Sequence, residues 1–272
     1  MPGKVHLVGA GPGSADLLTV RAAAVLRAAQ VVLHDDLVTP EILALAAPDA
    51  RIVNVGKRCG NRTNSQGQIN QAQINALMIW HARRGKAVVR LKSGDPAVFG
   101  RLGEELDALR KACVAYEIVP GVTAASAAAS TAGITLTDRN SASALAIVTG
   151  HNIRGEKLRT LGLDPQRTTF AVYMPGPDYN RTARELMEAG VDCNAPVVMI
   201  SSAGRANQKT CFMSLLDLPF AGGVAAPAIL IVGEVARRVP GEQGIDAREF
   251  LPPVLAESDE NRSDVKRLEL LA

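Results

Sequence analysis

Five short apolar runs in the first half of the chain, residues 5–8, 31–33, 52–55, 87–91 and 115–119, each lead directly into a loop of small or polar residues. The loops read Gly9-Ala10-Gly11-Pro12-Gly13, His34-Asp35-Asp36, Gly56-Lys57-Arg58-Cys59-Gly60, Lys92-Ser93-Gly94-Asp95-Pro96 and Pro120-Gly121. No other feature constrains the fold as strongly. Short, continuously apolar runs suit strands buried on both faces. The stretches between them carry apolar residues at helical spacing (Leu18, Ala22, Val25 and Leu26 in the first; Ile69, Ile74, Leu77, Met78 and Trp80 in another). Strand and helix in alternation predict an open, mostly parallel α/β sheet. Ligands of such sheets bind outside the carboxyl ends of the strands. One or two glycine turns there would be structural punctuation; five loops of this kind together predict a binding face.

Beyond residue 121 the texture changes. Residues 122–132 are nearly all Ala, Ser and Thr, a thin helix suited to close packing, and 133–140 reads as a linker or cleft loop. Apolar runs at 145–148, 169–174, 197–201 and 228–232, with a helix near 181–189, predict a second α/β domain. The expected organisation is therefore an N-terminal domain over 1–121, a C-terminal domain over 122–240, and a polar, loose tail over 241–272.

Composition narrows the function classes. Thirty basic and 27 acidic residues give a net charge of +3 without a long basic run, and aromatics are 3%, too few for base-stacking platforms. Neither nucleic acid nor a membrane is the expected partner, since no apolar run approaches the ~18 residues of a span. The N-terminus enters its glycine loop before a signal-peptide core could form, so a cytoplasmic location is expected. The cysteines at 59, 113, 193 and 211 have no CxxC spacing and read as idle thiols. His34, His81 and His151 lack metal-ligand spacing, and no G-x-S-x-G occurs, so neither a metal nor a serine nucleophile is expected.

The first glycine loop invites a dinucleotide reading, strengthened by Asp35 and Asp36 at the end of the next strand. Its spacing departs from G-x-G-x-x-G: Ser14 stands where a Gly belongs, and Pro12 removes an N–H that a pyrophosphate would use. Arg101 and Glu104 share a helix face three residues apart; a solvated charge ladder with Glu105, Asp107 and Arg110 is the ordinary reading of such a helix. Lys57, Arg58 and Arg139 lie in loops, and a patch of cations around a cleft suits a substrate with several carboxylates.

Taken in order, the strings VGAGPGSADLLTVRA (8–22), DDLV (35–38), NVGKRCGN (54–61), VVRLKSGDPAVFGRLGEEL (88–106), VPGVTAASAAASTAGITLT (119–137) and VTGH (148–151) resemble the tetrapyrrole methylase family, and within it the uroporphyrinogen-III C-methyltransferase branch. Fainter similarity at 173–174 and 227–235 carries the resemblance to about residue 238. It implies two α/β domains, each a mostly parallel sheet with flanking helices, with the site in the cleft between them, a homodimer, S-adenosyl-L-methionine as methyl donor and no metal. It implies transfer of two methyl groups to rings A and B of uroporphyrinogen III, giving precorrin-2 on the branch toward siroheme, cobalamin and haem d1. A sister precorrin methyltransferase acting on a later corrin intermediate is the alternative within the family. A dinucleotide-dependent oxidoreductase and a non-catalytic binding relative are the alternatives outside it.

Position by position, the resemblance implies that Pro12, Ser93, Gly94, Asp95, Val98, Thr123, Ala124, Met174 and Ala203 contact the cofactor. Asp35 and Lys57 match the proton acceptor and proton donor. Arg101, grouped with them as catalytic, and Glu104 and Arg139 match residues that hold the substrate or assist its deprotonation. The sequence departs from the family pattern in four places. Ser93 replaces a Gly, and Asp138 stands beside Arg139 where it would weaken the grip on substrate carboxylates. Ser202-Ala203-Gly204 replaces an ENG-like turn, and the loop after Lys57-Arg58 is longer than usual.

Overall fold

The computed structural model describes residues 3–56, 69–150, 163–222, 225–237 and 245–246. They form two compact units, one comprising Met1–Ala124 with Gly204–Ala206, the other Ala125–Ala203 with Asn207–Ala272. Lys57, Arg58, Cys59, His151 and nearly all of the 241–272 segment lie outside the described residues.

In the first unit the strands β1 (Val5–Gly9), β2 (Val31–His34), β3 (Arg51–Asn54), β4 (Val88–Lys92) and β5 (Tyr116–Val119) make one sheet in the order β3-β2-β4-β1-β5. Every pairing in it is parallel, as the sequence predicts. Side chains alternate across a strand, so Val89 and Leu91 of β4 join Val8, Val32, Leu26 and Ile42 on the side of α1 (Val20–Arg27) and α2 (Pro40–Leu43). Val88 joins Leu7, Leu33, Met78, Ala82 and Leu109 on the side of α3 (Gln71–Arg83) and α4 (Leu102–Lys111). By the same alternation Arg90 and Lys92 project to the α3/α4 side, and both are buried.

The helices begin where local chemistry lets them. Thr19 accepts the Ala22 N–H at 3.1 Å, so α1 opens at Val20, two residues after Leu18, the first of its helically spaced apolar residues; Ala15–Leu17 forms a single 3-10 turn. Asn70 and Gln73 form a reciprocal capping box at the start of α3. α4 opens with Glu104 and Glu105 in its first turn and closes with Arg110 and Lys111, which suits the helix dipole at both ends.

The second unit holds α5 (Ala124–Ala132, from its second residue on), β6 (Ala144–Thr149), β7 (Thr168–Tyr173), α6 (Tyr179–Glu188), β8 (Pro196–Ser201), β9 (Lys209–Ser214), β10 (Ala228–Val232) and β11 (Ile245–Asp246). Its sheet runs β11-β9-β8-β10-β7-β6 and is mixed: β6–β7 and β9–β11 pair parallel, whereas β7–β10, β8–β10 and β8–β9 pair antiparallel. The short link between β8 and β9 leaves no room for a crossover helix, which forces an antiparallel return. β9, with the sequence KTCFMS, carries too weak a pattern to stand out as a strand. Phe170, Val172, Leu186, Val197, Met199, Leu215, Leu230 and Val232 form this unit's core.

Glu117 on β5 ties the edge of the first sheet to its neighbours. It receives Lys4 Nζ at 2.7 Å and a two-pronged contact from Arg21, with Nε at 3.0 Å and Nη2 at 2.7 Å. Hydrogen bonds from Lys4 and then Arg21 pull its carboxyl from 4.5 down to about 2. A folded-state value below the unfolded one stabilises above the unfolded value and ceases to do so as pH falls through the folded one. The stability gap between the wild-type chain and Glu117→Gln is therefore expected to shrink between pH 4.5 and about 2. Urea titrations across that range measure it; a gap independent of pH would contradict the assignment.

Candidate active site

The loops at the carboxyl ends of the first sheet are stitched together through their backbones. Ala10 N–H donates to Lys92 O at 2.7 Å, Gly11 N–H to Gly94 O at 3.1 Å, and Gly94 N–H returns to Gly11 O at 2.8 Å. A Cβ on Gly9 would lie 2.6 Å from Gly121 Cα, and one on Gly121 only 2.4 Å from Gly94 O, so these three loops touch because they lack side chains there. Gly94 sits at φ +68° and a Cβ on it would meet nothing within 4 Å, leaving its outer side open to a ligand. Asp95 fixes the turn: one carboxylate oxygen accepts the Ala97 N–H at 2.8 Å and the other the Gly121 N–H at 2.9 Å. Ser93 and Val98 flank this turn half-buried, and Thr123 and Ala124 follow the loop that Asp95 anchors.

Pro12 is held from behind. Arg205 donates through Nε to Pro12 O at 3.2 Å and through Nη2 to Leu37 O at 2.6 Å, and Thr39 Oγ1 donates to Gly13 O at 2.8 Å. The Arg205 side chain lies where Gly13 has none; a Cβ there would come within 2.5 Å of Arg205 Cγ. Burial pushes the Arg205 guanidinium below its ordinary value. No sequence motif singles out Arg205; only its packing against this loop does.

This backbone also weighs against the dinucleotide reading. The amides of Ala10 and Gly11 are already committed, Pro12 has none, and the helix that would offer its N-terminus to a pyrophosphate begins only at Val20. The Ala10–Pro12 stretch therefore offers no free amide to a phosphate.

Asp35 stands at the end of β2 with its side chain about a quarter exposed (28%). One carboxylate oxygen meets Arg90 Nη2 at 2.5 Å, and the other accepts the Ser93 N–H at 3.3 Å. Behind it Arg90 Nε donates to Glu105 Oε1 at 2.9 Å, and Lys92 Nζ reaches Glu105 Oε2 at 2.9 Å. Glu105 is fully buried, not part of a solvated ladder on α4: it lies under β4, where the strand's alternation delivers two cations. Burial works against the charge on Arg90, but the Asp35 and Glu105 carboxylates outweigh it and its value rises. For Lys92, burial and then the neighbouring Arg90 lower it, with Glu105 and Asp35 opposing. Arg90, Lys92 and Glu105 were hidden in the sequence because a Val-Val-Arg-Leu-Lys strand and a Glu-Glu helix start both read as ordinary.

Arg101 and Glu104 meet as their spacing predicts, through Nε–Oε1 at 2.8 Å and Nη2–Oε2 at 2.7 Å, both exposed. Arg101 adopts a left-handed backbone conformation, φ +54°, immediately before α4, and its bond to Glu104 raises its value. Among the described non-glycine residues Phe99, Arg101, Cys113, Met174 and Ser202 share positive φ. Such conformations cost about 1–3 kcal/mol each and collect at ligand sites.

In the second unit Met174 follows β7 and Ala203 follows β8, at the same end of the sheet on either side of the first residue of β10. Met174 is exposed at φ +48°, while Ala203 is buried behind Ser202, whose N–H donates to Pro227 O at 2.7 Å. Tyr173 Oη accepts the Ala125 N–H at 2.9 Å at the start of α5. Arg139 is exposed. Asp138 Oδ1 accepts the Asn140 and Ser141 N–H groups and the Ser141 hydroxyl, each at 2.9 Å, so this oxygen serves its own turn. Those bonds, the Ser141 hydroxyl first, lower its carboxyl value. Among the described residues no group of three His, Cys, Asp or Glu could hold a metal ion, and no helix is long and apolar enough to cross a membrane.

A family profile described as tetrapyrrole (corrin/porphyrin) methylases matches residues 4–219. The chain is 42% identical over 242 residues to a uroporphyrinogen-III C-methyltransferase of Pseudomonas aeruginosa, covering 88% of this chain and 96% of that protein. It is 43% identical to siroheme synthase 1 of Yersinia enterocolitica over 86% of this chain; there it spans about half (49%) of the relative's length. Among solved structures, uroporphyrin-III C-methyltransferase of Thermus thermophilus complexed with S-adenyl homocysteine is similar at TM-score 0.72 and 38% identity, covering 86% of this chain and 94% of that one.

Glu105→Ala is expected to destabilise the chain by about 3–5 kcal/mol, because it strands Arg90 and Lys92 without their carboxylate. Glu104→Ala, which breaks an exposed pair with Arg101, is expected to cost far less, about 1 kcal/mol. Denaturant unfolding of the two variants side by side checks the contrast.

Proposed function

The chain belongs to the tetrapyrrole (corrin/porphyrin) methylases, and on that premise we propose that it transfers two methyl groups from S-adenosyl-L-methionine to rings A and B of uroporphyrinogen III, giving precorrin-2 and S-adenosyl-L-homocysteine. The observation that carries this reading is the meeting, at one end of the first sheet, of a clamped carboxylate and a glycine turn with an open side. Asp35 is bonded at once to Arg90 and to the N–H of Ser93, the residue that opens that turn. The uroporphyrinogen-III C-methyltransferase of Pseudomonas aeruginosa, matched over 96% of its length, supports the choice of substrate.

The residues fit such a cofactor. Gly11 and Gly94 hold a close-set backbone, and Gly94 presents an unobstructed side. Pro12, Ser93, Gly94, Val98, Thr123 and Ala124 of the first unit, and Met174 and Ala203 of the second, are the proposed contacts. Asp95 contributes by shaping the turn, since both its oxygens are bonded within the loops. When bound, the sulfonium donor supplies an electrophilic methyl group that needs no metal to activate it. The protein's share is alignment of the electron-rich pyrrole carbon with that methyl, which is worth several kcal/mol and about 7–11 at best. Methylation leaves the macrocycle cationic, and a C–H bond at a bridging carbon then breaks. Its electron pair returns to the ring system and Asp35 takes the proton. Lys57, outside the described residues, is the proposed proton donor. Arg101, assigned to catalysis as well as binding, and Glu104 and Arg139 are proposed to hold the substrate, the two arginines by its carboxylates. Work as a homodimer in the cytoplasm completes the proposal.

Incubating the purified chain with S-adenosyl-L-methionine and uroporphyrinogen III is expected to yield precorrin-2 and S-adenosyl-L-homocysteine. The products are read by absorbance and mass spectrometry, with calorimetry showing saturable binding of S-adenosyl-L-homocysteine and none of NAD(P). Methylation of a later precorrin with uroporphyrinogen III untouched would move the chain to the sister branch; saturable NAD(P) binding would count against the whole reading.

A further inference from the structure

Two of the five residues of β4 are buried cations, Arg90 and Lys92, and the proposed reaction has so far used neither directly. Buried ion pairs are seldom more stabilising than the apolar residues that could replace them. Fold stability is thus a poor explanation for charging the middle of a central strand.

We propose that Arg90 is a positioning residue for methyl transfer: gripped from behind by Glu105, it fixes the Asp35 carboxylate in the orientation that receives the substrate proton. The inference rests on the reading of Asp35 as proton acceptor. The guanidinium plane has almost no freedom. Nε donates to Glu105 at 2.9 Å, Nη1 to Leu33 O at 3.3 Å and Leu91 O at 3.2 Å, and Nη2 to Asp35 at 2.5 Å. Rotation would break bonds to β2, β4 and α4 together. Lys92 shares Glu105 from its other oxygen, so Glu105 does not by itself cancel the charge on Arg90. The set Asp35, Arg90, Lys92 and Glu105 has two charges of each sign.

The arrangement also explains why position 35 is a carboxylate. It faces two donors, the Arg90 Nη2–H and the Ser93 N–H, one on each oxygen. An amide would set its own N–H against one of them. The remaining lone pairs accept the proton as the substrate C–H breaks. The proton then passes on to solvent and the carboxylate is regenerated. The cofactor turn itself is shaped by Asp95 and the Gly11–Gly94 bonds rather than by Asp35, so loosening Asp35 leaves that surface in place.

The test compares Arg90→Lys, Glu105→Gln, Asp35→Ala and the double variant Arg90→Lys/Asp35→Ala in steady-state assays with S-adenosyl-L-methionine and uroporphyrinogen III, alongside thermal unfolding and S-adenosyl-L-homocysteine calorimetry. Lysine keeps the charge but lacks the planar fork that spans Glu105 and Asp35. Arg90→Lys is expected to lower kcat on the order of 100-fold while leaving the KM for the methyl donor and S-adenosyl-L-homocysteine affinity unchanged. It should add nothing to the loss already caused by Asp35→Ala. Glu105→Gln, which still accepts from Arg90 but loses its charge, should fall between wild type and Arg90→Lys, and it carries the test if Arg90→Lys does not fold. Wild-type kcat in a folded Arg90→Lys, or in Glu105→Gln, with Asp35→Ala impaired, overturns the positioning role and leaves the reading of Asp35 standing. Full turnover of Asp35→Ala removes that reading itself. Losses that multiply in the double variant give Arg90 an independent role and also overturn the inference.

Discussion

A guanidinium enclosed between two carboxylates governs the working end of the first sheet. Arg90 reaches Glu105 on one side and Asp35 on the other, and its remaining donors hold carbonyls of β2 and β4. Removing Glu105 would leave Arg90 and Lys92 without their shared carboxylate in a place that water reaches poorly, a loss of several kcal/mol for a folded chain whose margin is only about 5–15. The position of Asp35 therefore follows from the same bonds that let β4 lie at the centre of the sheet.

Around this centre the glycines do what side chains could not. Gly9 and Gly121 approach so closely that a Cβ on either would sit at 2.6 or 2.4 Å from neighbouring backbone, and Gly11 and Gly94 exchange hydrogen bonds as a miniature antiparallel bridge. Glycine at these places costs conformational entropy in folding. In return three loops that are distant in sequence form one continuous surface.

Much of this was legible in the residues. The strand–loop alternation of the first half fixed a parallel sheet and put its small-residue loops at one end, and the spacing of Arg101 and Glu104 brought them together as a pair. What escaped was set by tertiary neighbours. Glu105 looks like Glu104 in sequence, yet one is fully buried and the other exposed, because only one faces the underside of β4. Arg205 lies in an unremarkable stretch and matters through its bonds to Pro12 and Leu37. The mixed order of the second sheet depended on β9, whose side chains give no clear alternation, and on links too short for a crossover. Asp138 shows the converse: it looks like a competitor for Arg139, but one of its oxygens is occupied by the turn that follows it.

Asp95 carries one more implication. Because both of its oxygens are bonded to main-chain amides of Ala97 and Gly121, the turn beneath Gly94 has its shape before any guest arrives. A floor assembled in advance spares the incoming molecule the entropic toll of ordering a loop. It also makes the surface selective by rigidity: a molecule whose contour does not match has nothing pliable to press against.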